Sequence, residues 1–580
     1  MNSHIYAINQ VLFISINPDN LLDLKRLHTY HMPSINPVTG ILGTSRAAHL
    51  LRRATMGFRV SDLTLYATKT AQEAIQLLFQ SQPEPAFPTD PASGSDWIYP
   101  NTVNPGQNIT VLNGYTKGWW LEAMRKSPAN ATERMLWFFH THFPIILTRI
   151  EGQPQLLVDY LRLLRYYALG NYKKLAKAIC IDNGILIHLD GNLNVKSAPQ
   201  ENFAREFLEL FTVGKGEEIA AGNYTTFTED DVRAITKVLT GWSTDLTFQT
   251  IDPITGIPTG KVKGNGSIAT HHDASNKQLS ASFNNAVIST SEIIGGAASV
   301  QAVYQELDDL ITLLFNSEHT AKNICRRIYR EFVYFNITPE VETDIIAPMA
   351  ATLMANDYEI TSVLEQLFQS EHFYDLDTAP TDDDNIGAII KSPVDLIIGT
   401  LRLFEIGIPS ATTDLENHYR FYDVIDNQLS LQGIEFIEPY DVAGYDPYFQ
   451  VPDFQRYWIS SNYLANRYKF AELLISGIPI PLSSAPPVKL DIVAFVRNKC
   501  SNPSNPVTLT EELCRWLLPI ELSAERFSYF KDAVLLDQLS AINWANEWNN
   551  YISSTNDANV RVQLEALAIA LMQSPEYQLY

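Results

Sequence analysis

The chain has 580 residues, 46% of them hydrophobic and 11% aromatic, with 65 acidic against 42 basic residues and a formal net charge of −23. So much apolar material excludes global disorder, and the length predicts two to four domains, because single cores stop growing near roughly 250–300 residues. No Lys/Arg run supplies the basic stripe that phosphate neutralisation requires, so nucleic acid is not an expected partner; no apolar run reaches the roughly 18–20 residues that span a bilayer, so no transmembrane segment is expected.

Residues 1–32 read as an N-terminal extension. Met32 stands directly before Pro33 and can serve as a start, and the apolar patch at 11–16 lacks the basic flank and small-x-small cleavage site of a signal peptide. A main helical domain is expected over 33–405. Segment 46–55 reads as a short helix stopping at Gly57 and 71–79 as a second, followed by a Pro-, Ser-, Asp- and Asn-rich loop over 81–106. From 114 to 143 the pattern is helical and very aromatic, until Pro144 interrupts it. Helices are expected at 156–168 and 172–181, parted at Gly170, and at 202–213 with Gly214 as the stop. Thr228 starts another; its hydroxyl can cap free N–H groups, with Asp231 in the reciprocal position. Residues 243–300 lose the helical period and become Thr-, Gly- and Asn-rich, which predicts an irregular or β-containing insert. Helical pattern resumes at 303–315, 321–333, 344–354 and 360–368; an acidic loop at 375–384 precedes a helix at 393–404. In a C-terminal helical region, 406–580, packed on the main domain, 440–455 reads as a loop and 460–475, 490–496, 511–517 and 560–573 as helices. The expected fold is mainly α, an irregular multi-helix assembly with a small loop or β insert. Cys180, Cys325, Cys500 and Cys514 have no C-x-x-C spacing and read as buried free thiols, with a Cys500–Cys514 bridge open in an oxidising compartment.

Three polar clusters stand out. In the aromatic run 137–143, His140 and His142 need partners if buried, because a buried imidazole must satisfy both ring nitrogens. Two residues apart, they point some 200° apart on a regular helix, so joint ligation needs a local break, which Pro144 makes plausible. In the second cluster Glu201, Arg205 and Glu209 fall at i, i+4 and i+8, with Asn202 and Glu206 beside them. That spacing suits a solvated salt-bridge ladder and equally a carboxylate set of the kind that holds metals between helices. If the helix is buried, removing Arg205 strands a glutamate at a cost of roughly 3–5 kcal/mol. The third cluster is His271, His272 and Asp273 in the insert, loop residues able to supply nitrogen and oxygen ligands. No nucleophile elbow, Walker loop or dinucleotide-binding glycine motif is present.

These residues, in this order, resemble the bacterial domain-of-unknown-function 1800 family. The resemblance runs through 47–53 with Gly57-Phe58, the W-x-x-H-x-H-F-like segment at 137–143, 164–171, and 201–212. It continues through 228–232, Thr240-Gly241-Trp242, His272-Asp273, 327–333, 439–458 with Val442-Ala443-Gly444, and 572–579. It covers about residues 33–580. It implies a mainly helical protein, export, and an exported partner protein; the absence of a clear signal peptide points instead to the cytoplasm. Tyr445 follows Gly444 where the family often has Trp. The resemblance carries no substrate or catalytic residue.

Two functions are compatible with these clusters. One is a metal-dependent enzyme, hydrolytic or oxidative, binding a divalent transition metal. His140, His142, His272 and Asp273 would be ligands, Glu206 and Glu209 ligands or general base, and Arg205 the group orienting a carboxylate or substrate anion. The other is a non-catalytic helical scaffold binding an exported protein or a polymer. A common site requires His140 or His142 within bonding reach of a carboxylate from 201–209.

Overall fold

The computed structural model describes residues 33–98, 108–150, 153–377 and 385–580. The extension at 1–32 and most of the acidic loop at 375–384 lie outside the described residues. Among the described residues 24 α-helices alternate with short 3-10 and π turns, and the sheets are antiparallel pieces of two or three strands. The fold is mainly α. No described helix is long and apolar enough to cross a membrane. Most buried apolar side chains from Leu42 to Tyr577 form one large cluster, and Trp97, Ile98, Leu112 and Val158 form a second, small one.

The local signals act as their chemistry requires. Thr70 and Thr228 both close capping boxes, Thr228 with Asp231, whose Oδ2 accepts from the Thr228 amide at 2.8 Å. The same carboxylate accepts from the Ser280 amide and hydroxyl, each at 2.7 Å, so an aspartate at this position also ties the insert down. The insert is irregular with short strands, from Trp242–Ser243 to Ala297–Ser299. The four cysteines are free thiols, Cys514 only partly buried; Cys500 and Cys514 do not bridge.

Several elements differ from the expectation, among them the unexpected helices Val60–Ala67 and Ala541–Ser554. The run at 114–143 is two helices, Ile109–Lys126 and Thr132–His142. Pro128 has no N–H to continue the first, and Asn130 Oδ1 accepts from the Thr132 amide at 2.7 Å to start the second. The 202–213 helix is α only over Asn202–Glu206 and becomes a π turn over Phe207–Phe211. Glu209, within the π turn, makes no ion pair with Arg205 among the described residues and pairs with Lys215 instead. The unexpected helix Leu415–Leu431 buries His418, Tyr419, Phe421, Tyr422, Ile425 and Leu429.

Candidate functional site

Every residue of the Thr132–His142 helix is buried, so each polar side chain on it either finds a partner inside the protein or bears the cost of burial without one. Arg134 does so with acids. It bonds Asp395, meets Glu331 at 3.0 Å and donates to the Tyr580 hydroxyl at 2.5 Å; Tyr580 in turn donates to Asp395 at 3.0 Å. Burial, with Asp395 alongside, pushes Glu331 up to about 7 despite the pull of Arg134.

His142 is held at both ring nitrogens. Arg327 Nη1 lies 2.7 Å from Nδ1 and the Tyr172 hydroxyl 2.5 Å from Nε2. A guanidinium can only donate, so Nδ1 accepts. The Nε2 proton then donates to Tyr172, whose own hydroxyl donates to the Phe211 carbonyl at 3.1 Å. Burial and Arg327 hold the imidazole well below its ordinary pKa, consistent with a neutral ring. His140 has a different environment. Its ring sits among Trp120, Trp137, Tyr160 and Tyr445, 5.2–6.2 Å between centroids. Neither nitrogen has a hydrogen-bond partner among the described residues, and burial drives its pKa down to about 3.

Beside His142 lies a small cavity of about 50 Å³, walled by Phe138, Arg327, Arg330, Glu331, Tyr448 and Trp458 among others. A water needs roughly 10–15 Å³ on this measure, so the space suits a few waters or one small oxyanion. Arg327 and Arg330, on successive turns of the Glu318–Phe332 helix, face it. Arg327 contacts His142; Arg330 Nε donates to the Phe335 carbonyl at 3.4 Å, and its guanidinium lies over the Phe454 ring at 5.5 Å. Neither forms an ion pair among the described residues. Burial, with Arg330 adding to it, brings Arg327 down to about 10, and burial with Arg326 lowers Arg330. The cavity's carboxylates, Glu331 and Asp395, are already spent on Arg134. The outer wall is the loop before Trp458. Gly444 makes its close approach possible: its φ is +103°, and a Cβ there would sit 2.8 Å from the Thr141 carbonyl oxygen.

The other expected ligands lie elsewhere. Neither histidine bonds a carboxylate of 201–209, because Tyr172 and Arg327 take that place at His142 and aromatic rings enclose His140. Glu206 is half-buried and raised to about 7 by burial, Glu209 and Asp441; Glu209 pairs with Lys215 at 3.4 Å. Arg205 forks onto Glu229 at 2.7 and 2.8 Å and reaches Glu201 at 3.5 Å. Its side chain is 31% exposed, so this is a solvated ladder. Arg205→Ala is therefore expected to cost about 1 kcal/mol or less, the range of exposed pairs, and not the larger cost of a buried one. Urea unfolding of the variant measures it, and a loss above about 2 kcal/mol contradicts the solvated assignment.

His272 and Asp273 serve the insert. The His272 ring bridges the Thr240 carbonyl at 2.8 Å and Glu306 at 3.1 Å, and Glu306 also receives Lys277 and Thr290, both at 2.5 Å. Burial would raise Glu306, but those donors hold it below its usual value. Asp273 accepts from the Ser275 amide at 2.8 Å. Gly241, at φ +84°, lets the His272 backbone approach to where a Cβ would find its amide nitrogen at 2.9 Å. Thr240-Gly241-Trp242 and His272-Asp273 thus form one joint. Among the described residues, no group of three or more His, Cys, Asp or Glu side chains is placed to hold a metal ion. Sequence reasoning missed Arg134, Arg327, Arg330 and Asp395; the two cavity arginines stand at i, i+3 on a helix that also carries Glu318, Lys322, Arg326 and Glu331, so nothing local singled them out.

Fold and site together define a mainly α-helical protein with a small arginine-walled cavity beside a neutral, doubly bonded histidine. Residues 49–579 match the family model described as protein of unknown function DUF1800, and the chain belongs to that family. No curated protein and no solved structure matches it.

Proposed function

We propose that the protein recognises an anionic group, a carboxylate, phosphate or sulfate, in the cavity beside His142. The observation that carries this is the pair Arg327 and Arg330, two half-buried guanidiniums at one small cavity with no carboxylate paired to them among the described residues. A cation taken out of water needs an anionic partner or strong acceptors, and guanidinium forks suit planar and tetrahedral oxyanions. The segments 137–143, 327–333 and 439–458, which carry much of the family resemblance, all contribute walls.

A metal-dependent hydrolytic or oxidative enzyme using His140, His142, Glu206 and Glu209 fits this geometry less well, because both nitrogens of His142 are already committed. The scaffold reading keeps one specific support: the cavity's outer segment also exposes Tyr440 (91%) and Val451 (67%), so a partner polypeptide is a reasonable bearer of the anion.

The test is anion-dependent stability. A ligand at about 100 times its Kd stabilises the native state by about 2.7 kcal/mol. Phosphate, sulfate and acetate, titrated at constant ionic strength, are expected to raise the unfolding midpoint of the protein but not of Arg330→Gln or Arg327→Gln. Equal responses in all three proteins, or none in any, overturn the proposal.

A further inference from the structure

A second cavity lies at the other, N-terminal end of the Thr132–His142 helix. It measures about 460 Å³, within the range of roughly 300–1,000 Å³ that small organic ligands occupy. Its walls are a strap at 82–89 with three prolines, Trp119 on the Ile109–Lys126 helix, and His418 and Tyr419 on Leu415–Leu431.

The strap is held in place. Trp119 Nε1 donates to the Ala86 carbonyl and Asn130 Nδ2 to the Gln80 carbonyl, each at 2.6 Å, and Arg162 lies over the Phe87 ring at 5.1 Å. The cavity's charged groups are paired with one another: Glu122 holds Arg125 at 2.8 Å and Lys126 at 2.9 Å, and Glu133 bonds Arg165, although Glu133 Oε2 and Arg165 Nη2 have no hydrogen-bond partner among the described residues. His418 adds a neutral acceptor. It is 2% exposed, and its Nδ1 lies 2.9 Å from the Pro409 carbonyl. A carbonyl only accepts, so Nδ1 carries the proton. Burial keeps the ring from taking up a second one. Nε2 therefore offers a lone pair, and no described residue donates to it.

We propose that this cavity binds a neutral, flat aromatic molecule bearing one N–H or O–H donor, with Trp119, Phe87 and the prolines against its faces and His418 Nε2 accepting its proton. Balanced charges disfavour an ionic ligand, since an added charge would be buried without a counterion. A sugar would bury several hydroxyls against Trp119, Phe87 and the prolines. An aromatic ring meets the apolar walls, and one donor meets the lone pair of His418 Nε2.

Indole and 1-methylindole separate shape from donation, since they differ at the donor alone. Isothermal titration and ligand-observed NMR on the whole protein are expected to show indole binding at least about fivefold more tightly, the factor one hydrogen bond supplies. His418→Phe is expected to erase that difference. Ala411→Trp, at a partly exposed wall position, fills the cavity and is expected to abolish both, which keeps the test decisive if the buried variant folds poorly. The proposal is overturned if neither compound binds, if the two bind equally, if Ala411→Trp changes nothing, or if methyl glucoside binds in their place.

Discussion

Replacing Arg134 by methionine is expected to cost roughly 3–5 kcal/mol, the price of leaving buried charges without their partner. Arg134 is 1% exposed and serves Asp395, Glu331 and Tyr580 at once. Methionine fills the volume but removes every donor, so two carboxyls of adjoining helices face each other in the interior. Lysine keeps the charge but not the fork, and is expected to restore part of the loss. Glu331 already sits near the protonated side at neutral pH, up at about 7. Glu331→Gln should therefore cost much less than Arg134→Met, and combining it with Asp395→Asn should recover part of the arginine's loss. Urea unfolding followed by tryptophan fluorescence measures all of these. A loss below about 1 kcal/mol for Arg134→Met would mean that water reaches the network.

The second large effect is acid sensitivity at His140. Burial brings its native pKa down to about 3, whereas an unfolded chain protonates histidine near 6.5. Below that value the unfolded chain holds the extra proton, so acid favours it. The contribution is fully present above pH 6.5 and lost as pH falls toward 3. At about 1.4 kcal/mol per pH unit, this group withholds roughly 3 kcal/mol at pH 4. His140→Phe removes the term. Phenylalanine is slightly larger and overpacking sets its cost at neutral pH, but that cost is independent of pH. The variant should therefore gain about 3 kcal/mol on the native protein between pH 7 and pH 4. The comparison isolates one group from opposing ones: Glu206, Glu331 and Asp182, each raised to about 7, favour the native state below the usual carboxyl range and lose that contribution as pH rises through 7. Parallel stability curves for the two proteins would show that water or a ligand reaches the imidazole.

Local signals were legible where the partners are close in sequence. The Thr228–Asp231 capping box, the helix parting at Gly170 and the loss of helical period after 243 all rest on groups a few residues apart. The helix Leu415–Leu431 was not legible, because Asn, His, Asp and Tyr crowd a segment whose buried face becomes apparent only against its neighbours. Arg205 and Glu209 look like one ladder at α spacing, but Arg205 pairs with Glu229 and Glu209 with Lys215, partners the sequence spacing does not name.

By itself the sequence determined the class of fold, the family, the caps and stops, and the presence of polar groups in apolar segments that demand partners. It did not determine which partners. His142 meets Arg327 across 185 residues, Arg134 meets Asp395 across 261, and His272 meets Glu306 on the far side of the insert. Each polar group had several chemically adequate partners along the chain. The tertiary structure decided among them, because burial makes an unpaired charge or donor costly and only helix packing settles which groups share the same dry space.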